Sequence, residues 1–201
     1  MVLWTRFSRA RRTSEGKPLR DRGAALVEFA LIAPLFFFVV FGGIEGGLLF
    51  RSFSSLQDVS RTAARIASIE RDDPNADVAI LAAIQGRVDI LNGELLRVVI
   101  FDAPTLSTEA SDLPIACFQE TGGSIDDVCT VYPAADIPAI LDGTMDPCNG
   151  TTEVDCGFDA ADRDAFSNVG IHIEYRYQYV TGFFDSRTLA STSIGVVERS
   201  Q

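Results

Sequence analysis

From Ala24 to Phe50 the chain runs for 27 residues in which only Glu28 and Glu45 are ionisable. Past Phe50 the pattern changes. Phe53, Leu56, Val59, Ala63, Ile66 and Ile69 fall at helical spacing with Arg51, Asp58, Arg61 and Arg65 between them, which predicts that the same helix continues with one apolar face. Asp72-Asp73-Pro74 interrupts it. Asp73 as a cap and Pro74 in the first turn then start a second helix, with Val78, Leu81, Ile84, Val88 and Leu91 on one stripe and Asn92-Gly93 as its stop.

Leu95–Phe101 is a short, β-branched apolar run and predicts a strand buried on both faces. Ile171, Ile173, Tyr175, Tyr177 and Tyr179 alternate with His172, Glu174, Arg176 and Gln178, the clearest strand pattern in the sequence. One face of that strand is apolar and aromatic, the other polar. A turn over Gly182 to Asp185 and a return strand over Thr188–Glu198 complete an antiparallel hairpin. Residues 102–166 show no sustained period. The predicted fold class is therefore α+β: a long N-terminal transmembrane helix continuing into an amphipathic helix, a second short helix, and a small antiparallel sheet with a disulfide-bearing acidic loop region.

Three segments follow: a basic leader over 1–23, a transmembrane helix over 24–50, and an α+β domain over 51–201. As a helix, Ala24–Phe50 would reach about 40 Å at about 1.5 Å per residue, more than the roughly 30 Å of a hydrocarbon core. It is also longer than the apolar stretch of about 7 to 15 residues in a cleaved secretory signal, which favours an anchored protein.

Charge fixes the expected orientation. Residues 1–23 hold seven basic side chains against Glu15 and Asp21, a sum of +5, so with a net charge of -11 everything after Gly23 sums to -16. Residues crowded with Lys and Arg stay in the cytoplasm. The leader is thus placed there, at the bacterial inner membrane, with the C-terminal domain extracytoplasmic. Fourteen Asp or Glu and a single Arg163 fall within 102–166. So acidic a surface repels phosphate backbones, and no nucleic-acid partner is expected.

Cys117, Cys129, Cys148 and Cys156 all lie in that acidic stretch, where covalent closure assists a weak core in an oxidising compartment. Four cysteines allow three pairings. Neighbours in sequence suggest Cys117 with Cys129 and Cys148 with Cys156. A zinc site competes with this reading, but there is no CxxC pair and His172 is the only histidine. No nucleophile elbow, HExxH or P-loop is present, so no enzyme, cofactor or metal ligand is predicted. His172 reads as a surface residue. The oxygen-rich run Asp155 to Asp164 departs from the spacing of an EF-hand loop and reads as a solvated acidic loop.

One string carries more specific information. Arg20-Asp21-Arg22-Gly23-Ala24-Ala25-Leu26-Val27-Glu28-Phe29 resembles the processing site of type IV prepilins. With Ala30 to Leu35, Gly42-Gly43 and Ala63-Ala64-Arg65, it is similar to the TadE-like branch of pilus-assembly proteins. The resemblance implies cleavage after Gly23 by a prepilin peptidase, leaving Ala24 as the first residue and Glu28 as the fifth. It also implies partners: membrane lipid, the peptidase, and other pilin or pseudopilin subunits of a type IVb (Flp/Tad) pilus or related secretion apparatus. The acidic, cysteine-bearing segment lies outside the resemblance.

Within the helix, a carboxylate costs about 2.5 to 3.5 kcal/mol on insertion scales unless it finds a partner. Glu28 either snorkels to the cytoplasmic interface or, after cleavage, pairs with a neighbouring subunit's new α-amino group and sets subunit register, as the resemblance implies. Glu45, near the outer end of the span, reads as an interfacial residue. The rival reading of the whole chain is an uncleaved, signal-anchored envelope protein with an extracytoplasmic binding domain. A secreted protein with an overlong signal is a third.

Overall fold

A computed structural model describes residues 19–70, 73, 75–108, 113–119, 124–125, 127–145, 168–182 and 185–196. Four helices and four strands occur among them: α1 (Leu19–Ile69), α2 (Ala76–Val88), β1 (Gly93–Asp102), α3 (Ile115–Phe118), β2 (Cys129–Pro133), α4 (Ile137–Leu141), β3 (Asn168–Tyr177) and β4 (Arg187–Val196). The chain divides into two units, Met1–Gly43 and Ile44–Gln201. In the first, α1 has its large apolar side chains exposed, among them Leu26, Phe29, Leu35 and Phe38.

The second unit contains the rest of α1 and a four-stranded antiparallel sheet in the order β2-β1-β3-β4. The expected strands are present, and the hairpin is β3 with β4. A strand inside the acidic region, β2, was not legible as a period. It pairs with β1 from Arg97 opposite Pro133 to Phe101 opposite Cys129.

Because successive strand residues face opposite sides, β1 and β3 supply two different surfaces. Leu95, Val98 and Ile100 of β1 and Val169, Ile171, Ile173, Tyr175 and Tyr177 of β3 join Leu56, Val59, Ile80, Leu81 and Ile84 from α1 and α2 in the main core. Each large aliphatic side chain buried there contributes about 1.5–3 kcal/mol. The opposite surface carries a smaller core of Val99, Phe101, Cys117, Cys129 and Val131. A bulge at Leu96 lets both Leu95 and Val98 join the main core: Leu95 opposes Tyr175, while Arg97 opposes the adjacent Glu174.

The face that α1 buries differs in detail from the expected stripe. Phe53 is 37% and Ile69 is 69% exposed, whereas Ser52, Ser60, Ala64 and Ala67 are buried beside Leu56, Val59 and Ala63. Close approach of β4 explains the choice of small residues. A Cβ built at Gly195 would stand 2.2 Å from the Ala64 carbonyl oxygen, so only glycine on the strand and small side chains on the helix fit. Ser60 Oγ lies 2.8 Å from both Ser191 Oγ and Ser193 Oγ across the same seam.

The start of α2 also shifts. The helix begins at Ala76 with Asn75 as its N-cap and no side-chain capping bond. Asp73 acts one step earlier, its carboxylate accepting the Asn75 backbone N–H at 2.8 Å. On the buried side of α2, Tyr132 donates its hydroxyl proton to Asp77 Oδ2 at 2.6 Å.

Candidate functional site

Gly23, Ala24 and Glu28 all lie in α1 and are all exposed. A Cβ at Gly23 would meet nothing within 4 Å, and Glu28 has no bonded partner among the described residues. Pro34 sits inside the helix, and Gly42 and Gly43 leave open space beside it. Gly23–Ile69 holds an apolar stretch long enough to cross a membrane, none of it buried.

Glu45 is the opposite case. It is 2% exposed, and its carboxylate accepts the backbone N–H of Val180 at 2.6 Å and of Thr181 at 3.3 Å. The acid therefore holds the chain that leaves β3. Its charge is also felt by Tyr177, whose hydroxyl is pushed up in pKa first by burial, then by Glu45 and Tyr179. Tyr175, buried beside it, is pushed up to about 12 by the same desolvation and by Tyr177.

Residues 23–65 match the model of the TadE-like protein family. No curated protein and no solved structure matches the chain. The TadE-like segment contains Gly23, Ala24, Glu28, Glu45 and Ala63-Ala64-Arg65, and it associates the chain with the Tad pilus. With one helix among the described residues apolar enough to cross a bilayer, it points to a single-pass membrane protein. α2 and the sheet fall outside the TadE-like match.

On the sheet surface away from α1, the polar side chains of Arg97, Glu174 and His172 are enclosed, and for His172 this corrects the surface reading. Arg97 is 7% and His172 is 6% exposed. The Arg97 guanidinium makes a bidentate pair with Glu174, Nε to Oε2 and Nη2 to Oε1, both at 2.9 Å. It also donates to the carbonyl oxygens of Phe118 and Gln119. Such a fork satisfies both partners and fixes their planes. The Phe118 ring stacks on His172 at 4.0 Å between centroids and 4° between planes.

Covering the imidazole this way lowers its pKa through desolvation, a push that the nearby Glu174 charge only partly offsets. Nδ1 shares a hydrogen bond with Thr192 Oγ1 at 2.7 Å. Nε2 lies 3.5 Å from Glu174 Oε1, which Arg97 already engages, and makes no hydrogen bond among the described residues. The arrangement is a structural clamp on the segment around α3.

The Cys117–Cys129 disulfide closes the same segment across 12 residues, with a Cα–Cα distance of 6.6 Å. That pairing was the one suggested by sequence proximity. Cys148, Cys156 and the acidic run 155–164 lie outside the described residues, as does most of the basic leader. Sequence reasoning missed the Arg97–Glu174 pair and the Glu45 contact. The only available signal was an acid at an outward strand position and another inside an apolar run, and neither names its partner.

Proposed function

We propose that this chain is a TadE-like minor pilin or pseudopilin that takes part in assembly of a type IVb (Flp/Tad) pilus or related secretion apparatus. In this reading α1 holds it in the bacterial inner membrane, residues 1–23 stay in the cytoplasm, and the α+β domain lies outside. A prepilin peptidase cuts between Gly23 and Ala24, and other pilin subunits pack against the freed helix. The observation that carries the reading is the family match over the helix in which Glu28 stands five residues after Gly23.

The geometry of Glu45 refines the span. Since Glu45 is engaged by Val180 and Thr181, the stretch left to lipid is Ala24–Ile44 rather than 24–50. Those 21 residues (44 minus 24, plus one) reach about 31 Å at about 1.5 Å per residue. That equals the hydrocarbon thickness of a typical bilayer, about 30 Å. Glu28 then falls just inside the cytoplasmic boundary, where an exposed carboxylate without a partner of its own is available to the α-amino group of a neighbour.

Mass spectrometry of the mature N-terminus in isolated membranes tests the proposal. A chain that begins at Ala24 is expected. A chain that begins at Met1 would replace it with an uncleaved, signal-anchored protein, and one that begins beyond Phe50 would remove the membrane anchor altogether.

A further inference from the structure

Within the second unit a cleft of about 340 Å³ opens between α1, the residues after α2, and the end of β3. That volume falls in the range of small-ligand sites. Arg51 and Arg87 line it, and Asp58 is the one carboxylate in its wall. The wall is thus net positive by one charge on a chain of net charge -11. Both arginines are exposed, and neither has an ion pair or hydrogen bond among the described residues. Two guanidinium groups with no protein acceptor among the described residues thus share one cleft, flanked by the hydroxyls of Ser52 and Ser55.

The position of the cleft along α1 identifies the acceptor. Its wall begins at Leu48 and Arg51, three and six residues beyond Glu45, where the apolar run gives way to charge. If Ala24–Ile44 is the lipid-embedded stretch, this is the depth of the headgroup layer. Leu48 and Val180 offer an apolar edge to the same cleft, and Ile90, also in its wall, is 80% exposed. An anion with an apolar continuation fits these walls. A single excess positive charge suits a monoanionic phosphodiester better than a polyanion, and guanidinium forks match its oxygens.

We infer that this cleft binds the headgroup of an anionic phospholipid in the leaflet next to the domain, with Arg51 and Arg87 holding the phosphodiester. The inference rests on the membrane reading of α1 proposed above.

Native mass spectrometry of the full-length chain, delipidated in detergent and supplied with phosphatidylglycerol or phosphatidylcholine, tests it. Retention of phosphatidylglycerol about tenfold or more above phosphatidylcholine is expected. Arg51→Gln with Arg87→Gln should abolish the preference, at about fivefold per basic residue near a membrane surface. Arg61→Gln with Arg65→Gln removes the same charge from α1 outside the cleft and should leave the preference intact.

Equal retention of the two lipids, or equal loss in the two double variants, would overturn the site. Inorganic phosphate that displaces the lipid at matched concentration would overturn the lipid assignment in favour of a free-anion site. Alkaline carbonate extraction of native membranes separates the two levels of the argument. Release of the chain would remove the membrane reading and the inference together, whereas a retained chain with no lipid preference would remove the inference alone.

Discussion

Glu45→Ala removes an acceptor that two backbone donors share, and its effect can be worked from the contact itself. Hydrogen bonds to a charged group are worth about 1.5–3 kcal/mol each. The bond from Val180 at 2.6 Å belongs near the upper end of that range, and the bond from Thr181 at 3.3 Å near or below the lower end. Allowing for water that reaches the exposed Val180 side, where relative exposure is 64%, about 2–4 kcal/mol of loop docking is lost. At about 1.4 kcal/mol per factor of ten, amide exchange across 178–182 should accelerate by roughly 30- to 1000-fold. Glu45→Gln keeps one carbonyl acceptor but turns an amide donor toward a backbone N–H, so an intermediate acceleration is expected. The assay is hydrogen exchange read by mass spectrometry on the full chain in detergent, with Glu28→Gln as the control that should leave this peptide unchanged. Exchange over 178–182 within twofold of wild type in Glu45→Ala would refute the assignment of Glu45 as the holder of that loop.

If Glu28 pairs with a neighbour's α-amino group, Glu28→Gln should spare cleavage and insertion while weakening co-isolation with other pilin subunits, since a buried charge that loses its partner costs several kcal/mol; unchanged co-isolation would reduce Glu28 to a snorkelling residue. Gly195→Ala forces a Cβ to 2.2 Å from the Ala64 carbonyl; overpacking of about 1–3 kcal/mol should lower the melting temperature by about 2–12 °C at about 2–4 °C per kcal/mol, and an unchanged melting curve would contradict the seam. Reduction of Cys117–Cys129 releases a 12-residue loop, worth about 3 kcal/mol on the chain-entropy estimate, and should expose Phe118 and Gln119 to exchange before the main core. His172 has a folded pKa below its ordinary 6.5, so between those two values the unfolded chain binds more protons. Stability should therefore fall as pH drops through about 6.5 and onward to the depressed value, and His172→Asn should flatten that slope in thermal melts.

The elements with a period were legible. The long apolar stretch and the β1 run stand out as unbroken apolar segments, the second helix and the tyrosine-rich strand as simple spacings, and each is present. β2 was hidden because Cys129-Thr130-Val131-Tyr132-Pro133 is five residues long, buried on both sides, and so has no alternation to display. The small-residue face of α1 was misjudged for a related reason. Phe53 and Ile69 are more apolar than Ser60 and Ala64, but the strand that packs there approaches so closely that volume decides instead of hydropathy. His172 was read as a surface residue because it shares a strand face with Glu174, Arg176 and Gln178. Its cover comes from Phe118 of α3 and Arg97 of β1, elements that the pattern of β3 does not report. Gly23, Ala24 and Glu28 were named as candidates from a local motif, whereas the Glu45 contact needed a partner far along the chain.

The Glu45 contact also sets an order of events during synthesis. The two amides that engage this carboxylate lie 135 and 136 residues downstream. At translation rates of about 5–20 residues per second, they emerge roughly 7 to 27 s after it. β1 waits about half as long or more for its central neighbour, since Asp102 pairs with Val169 and Gly93 with Tyr177. For that interval Glu45 lacks its two backbone donors. β1 and β2 can pair first, since Phe101 and Cys129 are near in sequence. The sheet is completed only when the final hairpin arrives.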